Sequence, residues 1–326
     1  MQEFNYLIEK INKTENTVEP FNLLMVNNFF SESHFKEIIK STQISTPVFS
    51  SDIEMFEYLF NNGYKIIDFP GCIANQKEYI SWHNSKSITS KINTSCESFG
   101  MTLRLMEPKS NFLLSLNTFL QSDSVKEILS SKFSLDLESL YFDHGIQKYL
   151  DGYEISPHPD IRRKALTYMI NINPYENSEK SHHHTHYLRL KEEYKFIEHF
   201  WTGRSDIERC WLPWSWCETI FQQNANNSFV VFSPNNHTLH AVKADYDHLQ
   251  GQRTQIYGNY WYKKYHELKH IEWEAFDLDS FSQERGKPIP KNTLGIPSFI
   301  KEPLKKLLGH SKENYIKIDN QPKRDI

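Results

Sequence analysis

Five short runs in the middle of the chain constrain its fold more than any other feature: LYFDHGIQKYL, KALTYMININ, NSFVVFSP, LHAVKAD and TQIYGNYWY. Each is rich in β-branched or aromatic residues and is bounded by turn residues, the pattern of a half-buried strand. Many short strands with few helices between them favour a sandwich or a barrel. The stretch FIEHFWTGRSDIERCWLPWSWCETIF interrupts the series and carries Trp201, Trp211, Trp214 and Trp216. It is too aromatic for a solvent loop and too broken by Pro and Gly for one helix, so it is expected to cover something.

The front of the chain is mixed. EPFNLLMVNNFFSESHFKEIIKS reads as strand, turn and helix, with Ser31 as N-cap and Phe35, Ile38 and Ile39 on one helix face. From about residue 88 to 140 the pattern is helical, and SVKE at Ser124 to Glu127 has capping-box spacing. Residues 1–18 form a polar lead with one short amphipathic pattern, and the domain runs over 19–265 with an aromatic-rich insertion at about 178–222. Residues 266–326 read as a C-terminal extension, with a short helix at EPLKKLLGH between Pro303 and Gly309.

Composition narrows the function classes. With 37 Lys and Arg against 41 Asp and Glu, the net charge of −4 supplies no basic field for nucleic acid or anionic lipid. Cys72, Cys96, Cys210 and Cys217 are too few and scattered for a disulfide framework, and no CxxC pair suggests zinc or a redox dithiol. The charged opening MQEFNYLIEKINKTENT is unlike a secretory leader, and no stretch has the length of a membrane span. The expectation is a soluble cytoplasmic protein that binds neither nucleic acid nor membrane.

The chemistry is expected in YLDGYEISPHPDIRRKALTYMININP. On an extended segment His158 and Asp160 share a face, where an imidazole and a carboxylate can meet one cation. Facial His/Asp/His ligation with open positions suits non-heme Fe(II). A second histidine is available at His240, which begins an apolar run, with His237 as competitor. Arg253 follows a Gly-containing turn, and its planar fork suits a bidentate grip on a carboxylate. An HxD triplet alone is weak, since HxE also occurs at His270 to Glu272. The order of features carries more: Tyr, Gly turn, HxD, strand ending in Asn-Pro, a later strand, His-Ala-Val, then Gly-x-Arg.

That order resembles the 2-oxoglutarate/Fe(II)-dependent dioxygenases, in particular the prolyl-4-hydroxylase-like branch, over roughly residues 19 to 263. The resemblance implies a mainly β fold with flanking helices (α+β), built on a double-stranded β-helix of jelly-roll or cupin type. It implies that His158, Asp160 and His240 bind Fe(II), and that Arg253 pairs with the far carboxylate of 2-oxoglutarate, with O2 as the other co-substrate. Tyr149 matches a position that often hydrogen-bonds that carboxylate, and packing as a strand aromatic explains it equally well. Asn171, on the face shared with Thr167 and Met169, and Tyr257, on the face shared with Arg253, are further candidates to line the co-substrate.

The implied reaction is hydroxylation of an unactivated C–H bond with release of succinate and CO2. The retained Asp160 carboxylate argues against halogenation. A small molecule or biosynthetic intermediate is the expected substrate, and a peptide or protein side chain of prolyl type is the alternative. Arg162, Arg163, Trp214 and Trp216 are candidate substrate contacts, although paired Arg on a loop is more often solvated and a Trp cluster packs as readily as it covers a ligand. Two rivals belong to other classes: a non-catalytic jelly-roll binding module, and a zinc hydrolase built on SHHHTH, where His182, His183, His184 and His186 cluster. On a strand at most three of those histidines converge, and only Glu179 supplies a nearby carboxylate.

Overall fold

The computed structural model describes residues 2–85, 97–204, 207–264 and the strand at 315–317. The twelve described strands form two sheets, antiparallel except for one parallel pair at an edge. The strands are β1 (Leu23–Val26), β2 (Lys65–Asp68), β3 (Thr102–Leu105), β4 (Leu140–Tyr149), β5 (Glu154–His158), β6 (Lys164–Asn171), β7 (Thr185–Leu190), β8 (Cys217–Gln223), β9 (Phe229–Phe232), β10 (His240–Lys243), β11 (Arg253–Tyr262) and β12 (Tyr315–Lys317). The larger sheet has the order β1-β9-β6-β11-β4-β3-β2-β12 and the smaller β5-β10-β7-β8. Within them the eight strands β4 to β11 alternate between sheets so that the large one reads sixth, third, eighth, first and the small one second, seventh, fourth, fifth. That double winding is the jelly-roll order, so the expected fold is borne out by the connectivity itself.

Helices α1 (Asn5–Lys13), α2 (Glu32–Lys40), α3 (Asp52–Asn61), α4 (Gln76–Ser85), α5 (Asn111–Leu120) and α6 (Asp123–Lys132) come from the front of the chain, and α7 (Phe196–Gly203) lies between β7 and β8. The main core joins those front helices to the outer face of the large sheet: Phe4, Leu7, Phe56, Leu59, Leu116 and Leu129 pack with Leu103, Ile146, Ile170 and Ile256. Burying each such side chain contributes about 1.5–3 kcal/mol before entropy is counted. The inner face of the same sheet is free to be polar, because its partner is the small sheet and the cavity between them.

Several local expectations are met and others shift. Ser31 caps α2, accepting from His34 N at 3.3 Å. The capping-box reading at Ser124 is displaced: α6 starts at Asp123 with Ser122 at the N-cap, so Ser124 already lies in the first turn. The expected helical stretch is divided by β3, an all-buried strand whose run TLRL is too short to betray its period. The polar lead is a docked helix, since Phe4, Leu7 and Ile11 recur at helical spacing and are buried. The insertion is shorter than expected, because β7 and β8 within it are two of the eight jelly-roll strands. The C-terminal helix at EPLKKLLGH lies outside the described residues. Among the described residues no helix is long and apolar enough to cross a membrane, and Cys72, Cys210 and Cys217 form no disulfide.

Candidate metal and carboxylate site

Strand pairing brings the two histidines together. His240, first residue of β10, sits opposite His158, last residue of β5, and the ring centroids are 4.3 Å apart. Both side chains are anchored in the same way: His158 Nδ1 donates to the Ser156 carbonyl at 2.8 Å and His240 Nδ1 to the Thr238 carbonyl at 3.1 Å. Satisfying Nδ1–H leaves Nε2 of each ring as a bare lone pair turned inward, the tautomer a metal ligand needs. Burial, then His158, pushes the His240 imidazole down to about 3, so it is neutral at working pH.

Asp160 completes the triad from the turn after β5. Its backbone is left-handed at φ +56°, a conformation that Asp tolerates better than most residues, and it aims the carboxylate back between the rings. Oδ1 lies 3.7 Å from His158 Nε2 and Oδ2 lies 3.8 Å from His240 Nε2. Burial alone would raise this carboxyl, but the Lys164 ammonium beside it holds it well below the usual carboxylate range. Three donors of this kind, at spacings too long for hydrogen bonds and facing an open cavity, fit a cation with coordination positions to spare.

A second His/Asp group shows the contrast. Asp52 accepts from His83 Nδ1 and His248 Nε2, each at 2.8 Å, and His248 Nδ1 accepts from the Asp151 amide at 3.3 Å. Those are closed hydrogen bonds that tie α3 and α4 to the loop before β11, so this cluster is structural.

At the other end of the cavity lies Arg253, 2% exposed. Its guanidinium lies over the Tyr149 ring at 4.5 Å, and Nη2 donates to Thr185 Oγ1 at 2.8 Å. Nη1 is buried without a partner, as are Gln255 Oε1 and Thr102 Oγ1, all on residues that line the cavity. Orphaned buried donors are costly and rare, and an orphan on a cation in a cavity that also carries an orphan hydroxyl fits a carboxylate ligand. Gly251 owes its place to close packing: a Cβ there would sit 2.6 Å from Tyr175 Cδ1. The Gly-x-Arg pattern therefore records how tightly the turn before β11 is packed.

The structure gathers His158, Asp160, His240, Arg253, Tyr149 and Tyr257 around one cavity. Tyr149 supports Arg253 with its ring while its hydroxyl hydrogen-bonds Gln147, and Tyr257 accepts from Lys164 Nζ at 3.1 Å. His237 is excluded as the third ligand by position, being exposed and 2.9 Å from Glu198.

Other candidates are placed elsewhere. Asn171 is buried behind the lining, its amide donating to the Gln223 and Ala225 carbonyls and accepting from Gln255. Arg162 turns outward from the turn and donates to the carbonyls of Ile207, Trp201 and Arg204 and to Asn236, with its guanidinium 3.8 Å from the Trp201 ring centre. It fastens α7 to the turn. Arg163 pairs with Glu208. Trp214 donates to Glu154 at 2.9 Å and Trp216 stacks on Tyr194, while Trp211 and Trp261 are the tryptophans that line the cavity.

Within the SHHHTH run His182 is exposed and the other three histidines are engaged by neighbours. His183 and His184 are buried, with His183 against the Tyr175 hydroxyl and His184 on the Glu179 carbonyl, and His186 meets Thr219. Burial, then Arg253, pushes His183 down to about 2 and His184 to about 4. They share no carboxylate.

Sequence reasoning missed several contributors. Tyr246 accepts from Arg253 N and donates to the Tyr149 carbonyl, clasping the ends of two strands. Thr185 orients Arg253. Arg104 crosses Gly145, where a Cβ would stand 2.8 Å from its Cδ, to reach Asp143 at 2.9 Å within the cavity wall. Only register could have revealed these: once β4 and β11 are paired, Thr102, Tyr149 and Arg253 fall in one row and Arg104, Gln147 and Gln255 in the next.

No protein-family model and no curated protein matches the chain. Among solved structures it is similar to a prolyl hydroxylase in complex with a hypoxia inducible factor peptide from Trichoplax adhaerens, at 12% identity and a TM-score of 0.37, covering 80% of this chain and 89% of that one. It is also similar to a Pseudomonas putida prolyl-4-hydroxylase, at 7% identity and a TM-score of 0.38, covering 80% and 99%. A third is the epimerase SnoN, in complex with Fe3+, alpha ketoglutarate and nogalamycin RO, at 9% identity and a TM-score of 0.39, covering 80% and 84%. At scores of this size the chemistry is read from the residues of this chain.

Proposed function

We propose that the chain is an Fe(II)- and 2-oxoglutarate-dependent oxygenase. The observation that carries this reading is the pairing, in one cavity, of an open His158/Asp160/His240 triad with a buried Arg253 whose Nη1 has no partner. A metal site alone suits many chemistries, and a buried arginine alone suits many anions. Together they suit a metal-chelating dicarboxylate.

His158, Asp160 and His240 would hold the metal, and Arg253 would hold the distal carboxylate of 2-oxoglutarate. So loaded, the site supplies the power to hydroxylate an unactivated C–H bond with O2, releasing succinate and CO2. The chain's own work is positional. Ser156 and Thr238 fix the ring tautomers, Thr185 and Tyr149 fix the guanidinium, and Met169, Ile155 and Val242 keep water from the inner cavity.

For the substrate we favour a compact polar small molecule over a protein side chain. In support, Arg104, Asp143 and Asn259 make one polar wall while Trp211 and Trp261 supply aromatic faces. A concave site with a few convergent polar groups suits a small ligand.

The test is spectroscopic. Anaerobic protein with Fe(II) and 2-oxoglutarate should give a weak visible charge-transfer band, which Asp160→Ala should abolish, and in air it should form succinate slowly without substrate. If the wild type gives neither the band nor succinate, the binding-module reading takes its place.

A further inference from the structure

The Asp160 carboxylate is held from behind as well as faced from the front. Lys164 Nζ donates to Oδ1 at 2.7 Å and Thr167 Oγ1 to Oδ2 at 2.7 Å, so each oxygen has one protein donor. Lys164 is the first residue of β6, four residues beyond Asp160, and is paired across the sheet with Trp261. Its ammonium also donates to the Tyr257 hydroxyl at 3.1 Å and lies 5.6 Å from the centre of the Trp261 ring. The side chain is only 11% exposed.

A buried carboxylate needs a compensating charge, and breaking a buried pair costs more than forming it gains. Neither histidine hydrogen-bonds the carboxylate: each turns its Nδ1 to a backbone carbonyl, and their Nε2 atoms stay 3.7 Å and 3.8 Å from the Asp160 oxygens. Among the described residues Lys164 is the one permanent cation in contact with Asp160. An incoming metal ion must share the carboxylate with it, and two cations on one carboxylate repel each other.

Resting on the metal-site reading above, we propose that Lys164 is a built-in counter-ion for Asp160. It keeps the carboxylate aimed between His158 and His240 in metal-free protein, and by competing for its charge it sets metal affinity below what the three ligands alone would give. Thr167 keeps the carboxylate oriented, so removing Lys164 removes charge more than geometry.

The experiment compares full-length, chelator-stripped wild type, Lys164→Met, Lys164→Arg and His158→Ala, using Mn(II) as a redox-silent probe in calorimetric titration and thermal melts. Lys164→Met should bind one Mn(II) at least about tenfold more tightly, equivalent to about 1.4 kcal/mol. It should also melt lower without metal and gain more on adding Mn(II). Lys164→Arg keeps the charge and should stay within about threefold of wild type. Equal or weaker Mn(II) binding by Lys164→Met, or an unchanged metal-free melting point, overturns the proposal. Should Lys164→Met not fold when stripped, rescue by Mn(II) supports the proposal, and its absence together with unchanged affinity in Lys164→Gln overturns it. Failure of the metal reading is separately visible: wild type would then show no stoichiometric Mn(II) binding that His158→Ala removes.

Discussion

Replacing Arg253 by Met separates ligand binding from folding. In the folded protein the guanidinium makes one side-chain bond to Thr185, lies over Tyr149, and leaves Nη1 buried and unpaired. The bond and the cation–π contact contribute about 1–3 and 0.5–2 kcal/mol respectively, while the orphan donor costs about 1–3 kcal/mol. Met fills much of the stem volume, so these terms nearly cancel and the ligand-free melting temperature should move by no more than a few degrees. A bound carboxylate changes the balance. Two charge-assisted bonds to it are together worth about 3–5 kcal/mol, and their loss should weaken 2-oxoglutarate roughly 150- to 5,000-fold. The assay is anaerobic titration of 2-oxoglutarate into the Mn(II)-loaded protein, with thermal melts alongside. At a ligand concentration of about 100 Kd the wild type gains about 2.7 kcal/mol, and the variant should gain almost nothing at that concentration. Binding within about threefold of wild type would refute the assignment of Arg253. A large loss of ligand-free stability would refute the view that its charge is held in reserve for a ligand.

Three other outcomes follow from the packing. Lys148 is fully buried, donating to the Ile44 carbonyl at 2.8 Å and to Thr254 Oγ1 at 2.9 Å, and burial pushes its ammonium down to about 7 from 10.5. The unfolded chain then binds the extra proton between those values, so stability should rise with pH from about 7 to about 10.5 by a few kcal/mol, and denaturant melts of Lys148→Met should lose that slope. Gly251→Ala forces a methyl into the Tyr175 ring and should cost about 1–3 kcal/mol in a thermal melt while also weakening 2-oxoglutarate, since the same turn sets Arg253. Arg162→Ala removes the bonds that fasten α7 to the turn after β5, and limited proteolysis should become faster between β7 and β8 with Mn(II) affinity unchanged.

What the sequence disclosed of the site is what lies on one strand or in one motif. His158, Asp160, His240 and Arg253 could be singled out because each sits at a strand end beside a turn, where the residue type and its neighbours carry the signal. The supporting groups carry none. Thr185 is one threonine among many until β7 is laid beside β10, and Tyr246 matters only because the turn before β11 folds its hydroxyl onto two backbones. The errors have the same origin. Arg162 and Arg163 stand beside the metal turn in sequence, but the turn reverses at Asp160, whose left-handed backbone sends the carboxylate inward, while the two arginines go to α7 and Glu208. The four histidines stand out by number, yet a ligand needs a lone pair facing a shared void: His182 is exposed, and the other three face a tyrosine, a carbonyl and a threonine. Density of donors along the chain is a poor guide because a strand sends alternate side chains to opposite faces. Convergence is decided by register: the pairing of His240 with His158, next to a register shift between β10 and β5, makes one sparse triad into a site and leaves the crowded run without one.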